Sequence, residues 1–392
     1  MARALHTVLF TVGTSLIFPN LSGLPTADRL EAWKSKQPDA DHHSLTSERI
    51  ERLRQAYAGS DWRVVADTLA EFPMSTRLCG AELNSLHDLV ERAYLAADCR
   101  VLLLHSDTED GRAIANVLVN VLSHHGHDAE AQRVEGLRDD DPRAFRTHGL
   151  RNLARRLGAG IRNYQGSVCI NATGGYKAQI AVAVLIGQAL GVPVYYKHER
   201  FSEIIAFPPM PVAMDLDLWM RHADLFFMLD LAGTDAVPAN DVGSLDERLE
   251  PLLERVAIEG TDYLELSATG QIFHEMFQNR FSREKDRLLP SPALSKRPPH
   301  IEDSGHMRSH LEIERMMTAM TNEIPFVTHC RTFYYNPDLS TRSIVRRSAS
   351  GIECVVSNGS STVKWAVETT ATTPGQTDAA VAHLNDWLRS AM

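Results

Sequence analysis

Through the first half of the chain, short apolar runs alternate with longer stretches of helical periodicity. Val8 to Val12 is a brief apolar run that ends at Gly13-Thr14-Ser15. Arg100 to His105 is continuously apolar in its middle, as in strands buried on both faces of a parallel sheet. It stops at Ser106-Asp107-Thr108, and a helical pattern follows over Ala113 to Ser123. Ala81 to Val90 predicts an amphipathic helix, and residues near 144–158 predict another. Val168 to Ile170 is a strand that passes through Asn171-Ala-Thr-Gly-Gly into a helix over Ala178 to Leu190. That helix is too apolar for a surface position and is expected to pack on a sheet. Val192 to Lys197 and Ile204 to Phe207 complete the set, with prolines at 208, 209 and 211 closing it. Strands alternating with helices predict a parallel α/β sheet with right-handed crossovers. Between Pro25 and Pro73 the pattern is helical and polar, with Arg49, Glu51, Arg52 and Arg54 along one helix, as in a solvated insertion.

The second half has a different rhythm. Leu245 to Arg255 predicts a helix, Tyr263 to Ser267 a short strand, and Ala268 to Arg280 a helix capped by Ser267. Together these resemble a winged-helix element, open to a role as connector, dimerisation module or DNA binder. Ser282 to His310 is basic and broken by prolines, as in a linker or irregular arm. A helix over Leu311 to Thr321 precedes strands at Phe326–Tyr335, Arg342–Arg347 with Ile352–Val356, and Val363–Thr369. Ser357-Asn-Gly-Ser360 is a hairpin signal. Val363, Trp365 and Val367 share one strand face, and Lys364 and Glu368 the other. Asp378 to Leu388 is a final helix.

Length adds that 392 residues suit two or three domains. No apolar run reaches the roughly 20 residues of a membrane span, and Met1 to Phe10 lacks a signal-peptide core, so a cytoplasmic location is expected. Five scattered cysteines without a CxxC pair argue against a zinc site and a disulfide framework. The net charge of −10 is uneven. Residues 1–270 carry 26 Lys+Arg against 37 Asp+Glu, whereas 271–392 carry 14 against 13. The first part is poorly suited to long nucleic acid, and the second tolerates RNA.

Candidate chemistry concentrates at the strand ends. Ligands of open α/β sheets sit at the carboxyl ends of strands, where Ser15, Ser106 and Asn171 all fall. A strand, a glycine turn and a helix N-terminus make an anion site, to which Asn171, Thr173 and Lys177 add side-chain donors. A phosphate-bearing ligand is therefore expected. Each residue also has a structural alternative: Gly174 and Gly175 as turn formers, Asn171 as a cap. Asp107 would repel a phosphate unless it orients a neighbour, and Lys197 is open between rim and surface.

Thr11-Val-Gly-Thr-Ser15, Ala81-Glu-Leu-Asn-Ser-Leu86, His105-Ser-Asp-Thr108, Asn171-Ala-Thr-Gly-Gly-Tyr-Lys-Ala178 and Pro208-Pro-Met-Pro-Val212 together resemble the CARF domain. This is the Rossmann-like sensor of type III CRISPR immunity effectors. The resemblance covers roughly residues 6–215. It implies a homodimer that binds a cyclic oligoadenylate, with cyclic tetraadenylate the first choice, across its two-fold axis. Gly13, Thr14, Ser15, Ser106, Thr108, Asn171, Thr173, Gly174, Gly175 and Lys177 are the ligand residues it implies.

CARF proteins usually carry a C-terminal nuclease. The HEPN type needs an Arg spaced from a His on a helical domain, and the spacing Arg143 to His148 lies inside the sensor. A PD-(D/E)xK nuclease is a poor match, because Glu353 lacks a lysine two residues on. The layout over Leu311 to Thr370 resembles a RelE-type mRNA interferase. That implies cleavage of mRNA on the ribosome without a metal, through the RNA 2′-OH. Candidate catalytic residues are His329, Arg331, Tyr335, Arg346, Arg347 and Lys364, with Tyr334 and Glu368 nearby in sequence. Arg and Lys suit phosphate, and His, Lys or Tyr suit proton exchange.

The expected fold class is α/β: a CARF domain over 1–215 with a helical insertion at about 24–75, a winged-helix-like connector over 216–281, and a small α+β RelE-like domain over 282–392. The expected function is a cyclic-oligoadenylate-activated, ribosome-dependent endoribonuclease with no cofactor, no metal and no membrane. The insertion is the candidate ribosome-docking element. The alternatives are a winged-helix transcription regulator without catalysis, and a CARF effector with another nuclease chemistry.

Overall fold

The computed structural model describes residues 4–198, 203–210, 215–230, 236–242, 245–302 and 310–392. Parts of the expected Pro208–Val212 exit and of the Ser282–His310 arm lie outside these residues. The chain divides into two compact units: residues 1–212 with 267–276, and residues 213–266 with 277–392. The expected connector and C-terminal domain thus fall largely within one unit.

The first unit runs β1 (Leu5–Thr11), α1 (Leu30–Lys34), α2 (Ser47–Ala58), α3 (Trp62–Leu69), α4 (Gly80–Glu91), β2 (Leu95–His105), α5 (Glu109–His124), β3 (Asp128–Arg133), α6 (Pro142–Ala144), α7 (Leu150–Asn163), β4 (Val168–Asn171), α8 (Lys177–Leu190), β5 (Val194–Lys197) and β6 (Ile204–Phe207). Its sheet has the order β3-β2-β1-β4-β5-β6. Chain direction on the sheet reverses between β1 and β4, which makes the gap above their carboxyl ends the topological switch point. β1 pairs in parallel with both β2 and β4. The expected all-parallel sheet needs one correction: β6 returns antiparallel to β5 as a hairpin. β3, Asp-Ala-Glu-Ala-Gln-Arg, is an edge strand too polar to stand out in the apolar pattern.

Val8, Phe10, Val101, Leu103 and Cys169 point into one core with Leu83, Leu86 and Leu89 of α4 and with Ile114, Leu118 and Val121 of α5. The insertion is helical as expected, yet it is more than a solvated appendage. Leu30, Leu45, Ile50, Leu53, Val65, Leu69 and Phe72 are buried in that same core. Its outer side is charged, with Arg49 and Arg52 both paired to Glu71.

The second unit contains α9 (Leu216–Arg221), α10 (Ala223–Leu229), β7 (Val237–Pro238), β8 (Leu253–Ile258), β9 (Thr261–Leu266), most of α11 (Ala268–Leu288), α12 (His310–Glu323), β10 (Val327–Asn336), β11 (Ile344–Ser348), β12 (Gly351–Ser357), β13 (Thr362–Thr369) and α13 (Pro374–Ala391). The helix expected over Leu245 to Arg255 is only a 3-10 segment, Glu247–Leu252. Pro251 has no N–H to give an α-helix, and Leu253 onward pairs with β9 instead. β7, β9 and β8 form a three-stranded sheet. Among the described residues, the stretch between β7 and β8 holds only 3-10 turns. Ser267 caps α11 as expected, its Oγ accepting from Gly270 N at 3.0 Å.

The four C-terminal strands form an antiparallel sheet of order β10-β13-β12-β11, close to the expected segments. Trp365, Phe326, Cys330, Val345 and Cys354 pack under Met317 and Met320 of α12 and Leu384 and Leu388 of α13. The proline-rich arm is less irregular than expected. The chain is helical to Leu288, and the arm then lines the free edge of β10, with Arg297 N donating to Thr328 O at 2.8 Å and His300 N to Cys330 O at 2.9 Å. Such cover removes an exposed row of strand hydrogen-bonding groups.

Candidate functional site

Above the switch point, the loops after β1 and β4 meet the start of α4. Thr11 Oγ1, at the end of β1, donates to Gly174 O at 2.5 Å. Gly13 lies so close to the 174–175 turn that a Cβ on it would sit 2.5 Å from Gly175 N. Gly175 has φ +101°, which an L side chain rarely adopts. These glycines let two backbones touch, and the pair of loops forms one rim.

The centre of the rim is Glu82, in the first turn of α4. It is 2 % exposed, and its Oε1 accepts from Gly13 N at 2.7 Å. Ser15 Oγ donates to Oε2 at 3.4 Å. Burial pushes the Glu82 carboxyl up, and the Gly13 and Ser15 bonds oppose that push. Two donors expected to face a ligand are thus already engaged by a buried carboxylate. Glu82 falls within the Ala81–Leu86 motif, but nothing in the pattern marked it as the group that gathers the loops.

Asn171 is fully buried beneath the turn. Its Nδ2 donates to Ser85 Oγ at 2.9 Å, and its Oδ1 accepts from Thr173 N at 3.0 Å and from Thr173 Oγ1 at 2.5 Å. Thr173 Oγ1 in turn accepts from Lys197 N at 3.0 Å. Asn171 therefore holds the turn in shape from below, and its amide does not reach the rim surface. Thr14 and Lys177 are exposed at the rim, with Lys177 opening α8. Ser15 and Thr173 line a cleft together with Arg77, Asn20, Asn84 and Lys197. Lys197 Nζ lies 2.6 Å from Asp88 Oδ2.

The loop after β2 does different work. Thr108 caps α5, its Oγ1 accepting from Gly111 N at 3.0 Å, and Ser106 Oγ bonds Thr108 Oγ1 at 2.8 Å. Asp107 accepts from Gly136 N at 3.2 Å and pairs with Arg133. Ser106 and Thr108 are not among the residues lining the cleft.

In the second unit, strand register sorts the candidate catalytic residues into two faces. Arg331, Ala366, Glu353 and Arg346 lie in one cross-strand row. Tyr334 and Lys364 form the next pair on that face, and Lys364 Nζ sits 4.9 Å from the Tyr334 ring centroid. His329 pairs with Glu368 on the same face but is only 7 % exposed. Arg346 Nε donates to Glu353 at 2.6 Å, and Arg331 pairs with Glu302 at 3.2 Å. Tyr335 and Arg347 point the other way. Tyr335 packs against the core, and Arg347 Nη1 donates at 2.7 Å to Asp378 of α13. Alternation along a strand forces this split, since neighbours in sequence face opposite sides. Among the described residues no helix is long and apolar enough to cross a membrane, and no cluster of metal-ligating side chains occurs.

Fold and rim together define a doubly wound α/β unit with a polar cleft at its switch point, joined to an α+β unit. Residues 77–210 match the profile of a family described as CRISPR-associated protein (Cas_APE2256), which supports a CRISPR association for this chain. The match runs from Arg77 through β6 and leaves the insertion and the C-terminal sheet outside it. No curated protein matches the chain.

Proposed function

We propose that the chain is a cyclic-oligoadenylate sensor that controls an endoribonuclease, acting as a homodimer in CRISPR immunity. The observation that carries this reading is the meeting of the Gly13–Ser15 loop with the Thr173–Lys177 turn at the switch point of a unit with a CRISPR-associated profile. Exposed Thr14 and Lys177 supply donors on the rim. α8 adds an apolar outer surface, with Leu185 56 % exposed, that a second copy would cover.

The outer face of the C-terminal sheet suits metal-free RNA cleavage. The RNA 2′-OH attacks its own 3′ phosphorus, a base on the protein takes the hydroxyl proton, and the 5′ oxygen leaves with a proton from an acid. The products are a 2′,3′-cyclic phosphate and a free 5′-OH. Arg331 and Arg346 would hold the phosphate, Lys364 would meet the developing charge, and His329 or Lys364 would exchange protons. Tyr335 drops out of this set because it packs on the core, and Arg347 because it lies on the opposite face and bonds Asp378. Ligand control requires the messenger to favour the active arrangement over the inactive one. The insertion is the proposed ribosome-docking element, and substitutions at its exposed Arg29 and Lys36 test that without opening the core.

The deciding experiment is cell-free translation with added cyclic tetraadenylate and primer extension on the mRNA. Ligand-dependent cuts within translated codons support the whole reading. Equal cuts on naked RNA would remove the ribosome from it. Ligand binding without cuts would favour a non-catalytic regulator.

A further inference from the structure

Between the insertion and α4, residues 74–79 form a strap beside the cleft, clamped from outside by Asn20, Asp41 and Asn84. Asn84 Nδ2 donates to Met74 O at 2.7 Å and to Thr76 O at 2.8 Å. Asn20 Nδ2 donates to Arg77 O at 3.2 Å and to Leu78 O at 3.1 Å. Backbone carbonyls only accept, so each asparagine must turn its amide nitrogen to the strap. Arg77 N donates to Asp41 Oδ2 at 2.9 Å, and Asp41 is a buried residue of the insertion. Thus a single exposed arginine rides on a segment held at five points.

Among the described residues no carboxylate pairs with the Arg77 guanidinium, whereas the cleft's other cation, Lys197, is held by Asp88. Arg77 lines the cleft with Ser15 and Thr173 of the two rim loops. Among the described residues its side chain has no partner, although its backbone is fixed with care. An unpaired guanidinium on a rigid mount beside a polar cleft is suited to a planar, bidentate anion.

We infer that Arg77 is the anion anchor of this cleft, binding a phosphodiester of the occupant. The insertion, through Asp41, is then a structural part of the binding site, alongside Asn20 of the segment after β1. The inference rests on the sensor reading above for the identity of the occupant, but the anion site stands on its own geometry.

The test compares full-length wild type, Arg77→Gln and Arg63→Gln by fluorescence-polarisation binding of labelled cyclic tetraadenylate. Arg63 is an exposed insertion residue and serves as the charge control. Gln at 77 keeps the backbone N–H that Asp41 holds, so the strap should survive, and an unchanged melting temperature checks this. Arg77→Gln is expected to weaken binding by about 10- to 100-fold, with Arg63→Gln within about twofold of wild type. Arg77→Lys should recover part of the loss. Wild-type affinity in Arg77→Gln would overturn the assignment and leave the sensor reading intact. If wild type itself does not bind this probe, the sensor reading fails, and inorganic pyrophosphate replaces it. A pyrophosphate-induced rise in melting temperature that vanishes in Arg77→Gln would sustain the anion site, and no rise in wild type would end it.

Discussion

Replacing Gly174 by alanine tests whether Glu82 truly holds the rim together. A Cβ at this position would collide with Glu82 Oε1 and lie 2.8 Å from both Gly13 N and Thr11 O. Two of these three neighbours are backbone atoms. The third is a buried carboxylate fixed by Gly13 N at 2.7 Å, so none can yield cheaply. Overpacking of this kind costs about 1–3 kcal/mol. Loosening the Glu82–Gly13 bond adds about 0.5–1.5 kcal/mol. We expect a combined loss of about 3 kcal/mol, read as a lower urea midpoint for exchange protection of the β1 amides by hydrogen–deuterium exchange. In a Glu82→Ala background the same substitution should cost at least about 1 kcal/mol less, because one of its three clashes is gone. Gly375→Ala is the control: nothing lies within 4 Å of a Cβ there, and a helical alanine is favoured over glycine by about 0.5–1 kcal/mol. A Gly174→Ala protein within about 0.5 kcal/mol of wild type would refute the packing argument. A full loss that persists without Glu82 would keep the packing but remove Glu82 from it.

Burial raises the Glu82 carboxyl, so the folded chain retains a proton that the unfolded chain has released. Stability should therefore fall as pH rises from about 4 through the folded pKa, and Glu82→Gln should flatten that slope in a pH series of urea midpoints. Under the proposed nuclease function, Lys364→Met should slow mRNA cleavage by about 100-fold with little change in melting temperature, whereas Arg347→Met should do the reverse. Arg347 pairs with Asp378, which is 8 % exposed and pushed up by burial, but the guanidinium itself is nearly half in solvent, so removing it should cost about 1 kcal/mol. Asn385, 3 % exposed, bonds both Val345 N and Val345 O at the edge strand β11, so Asn385→Leu should lower stability by about 2–3 kcal/mol in a urea titration followed by Trp365 fluorescence.

How much of this could be seen in the sequence depends on what each element buries. Strands with both faces covered, such as Val101 to Leu104, stand out as apolar runs, and their turns follow from the glycines and hydroxyls after them. β3 has one edge and little apolar surface, so its six residues left no such trace. The antiparallel return of β6 was equally hidden, since a strand's own pattern says nothing of its direction. Leu245 to Arg255 has helical spacing, but Pro251 and the pairing of Leu253 with Leu266 override it, a tertiary choice over a local one.

The candidate sites divide along the same line. Alternation along β11 puts Arg346 and Arg347 on opposite faces, yet which of the two meets α13 depended on where that helix packed. At the rim, residue types pointed to the loops after β1 and β4, which the structure brings together, and to the loop after β2, which does not line the cleft; polarity alone does not distinguish a donor offered to a ligand from one spent inside the protein. Asn171 and Ser106 look as available in sequence as Thr14, and only the geometry shows their bonds already made. The converse holds for Arg77. A lone arginine in a loop carries no signal by itself, because surface arginines are common and most find a carboxylate. What distinguishes it is a negative pairing set against five backbone clamps, drawn from Asn20, Asp41 and Asn84, which lie up to 64 residues apart in the chain. Rigid support for a side chain that satisfies nothing within the unit is the arrangement a binding residue needs, since the ordering cost is met before the ligand arrives.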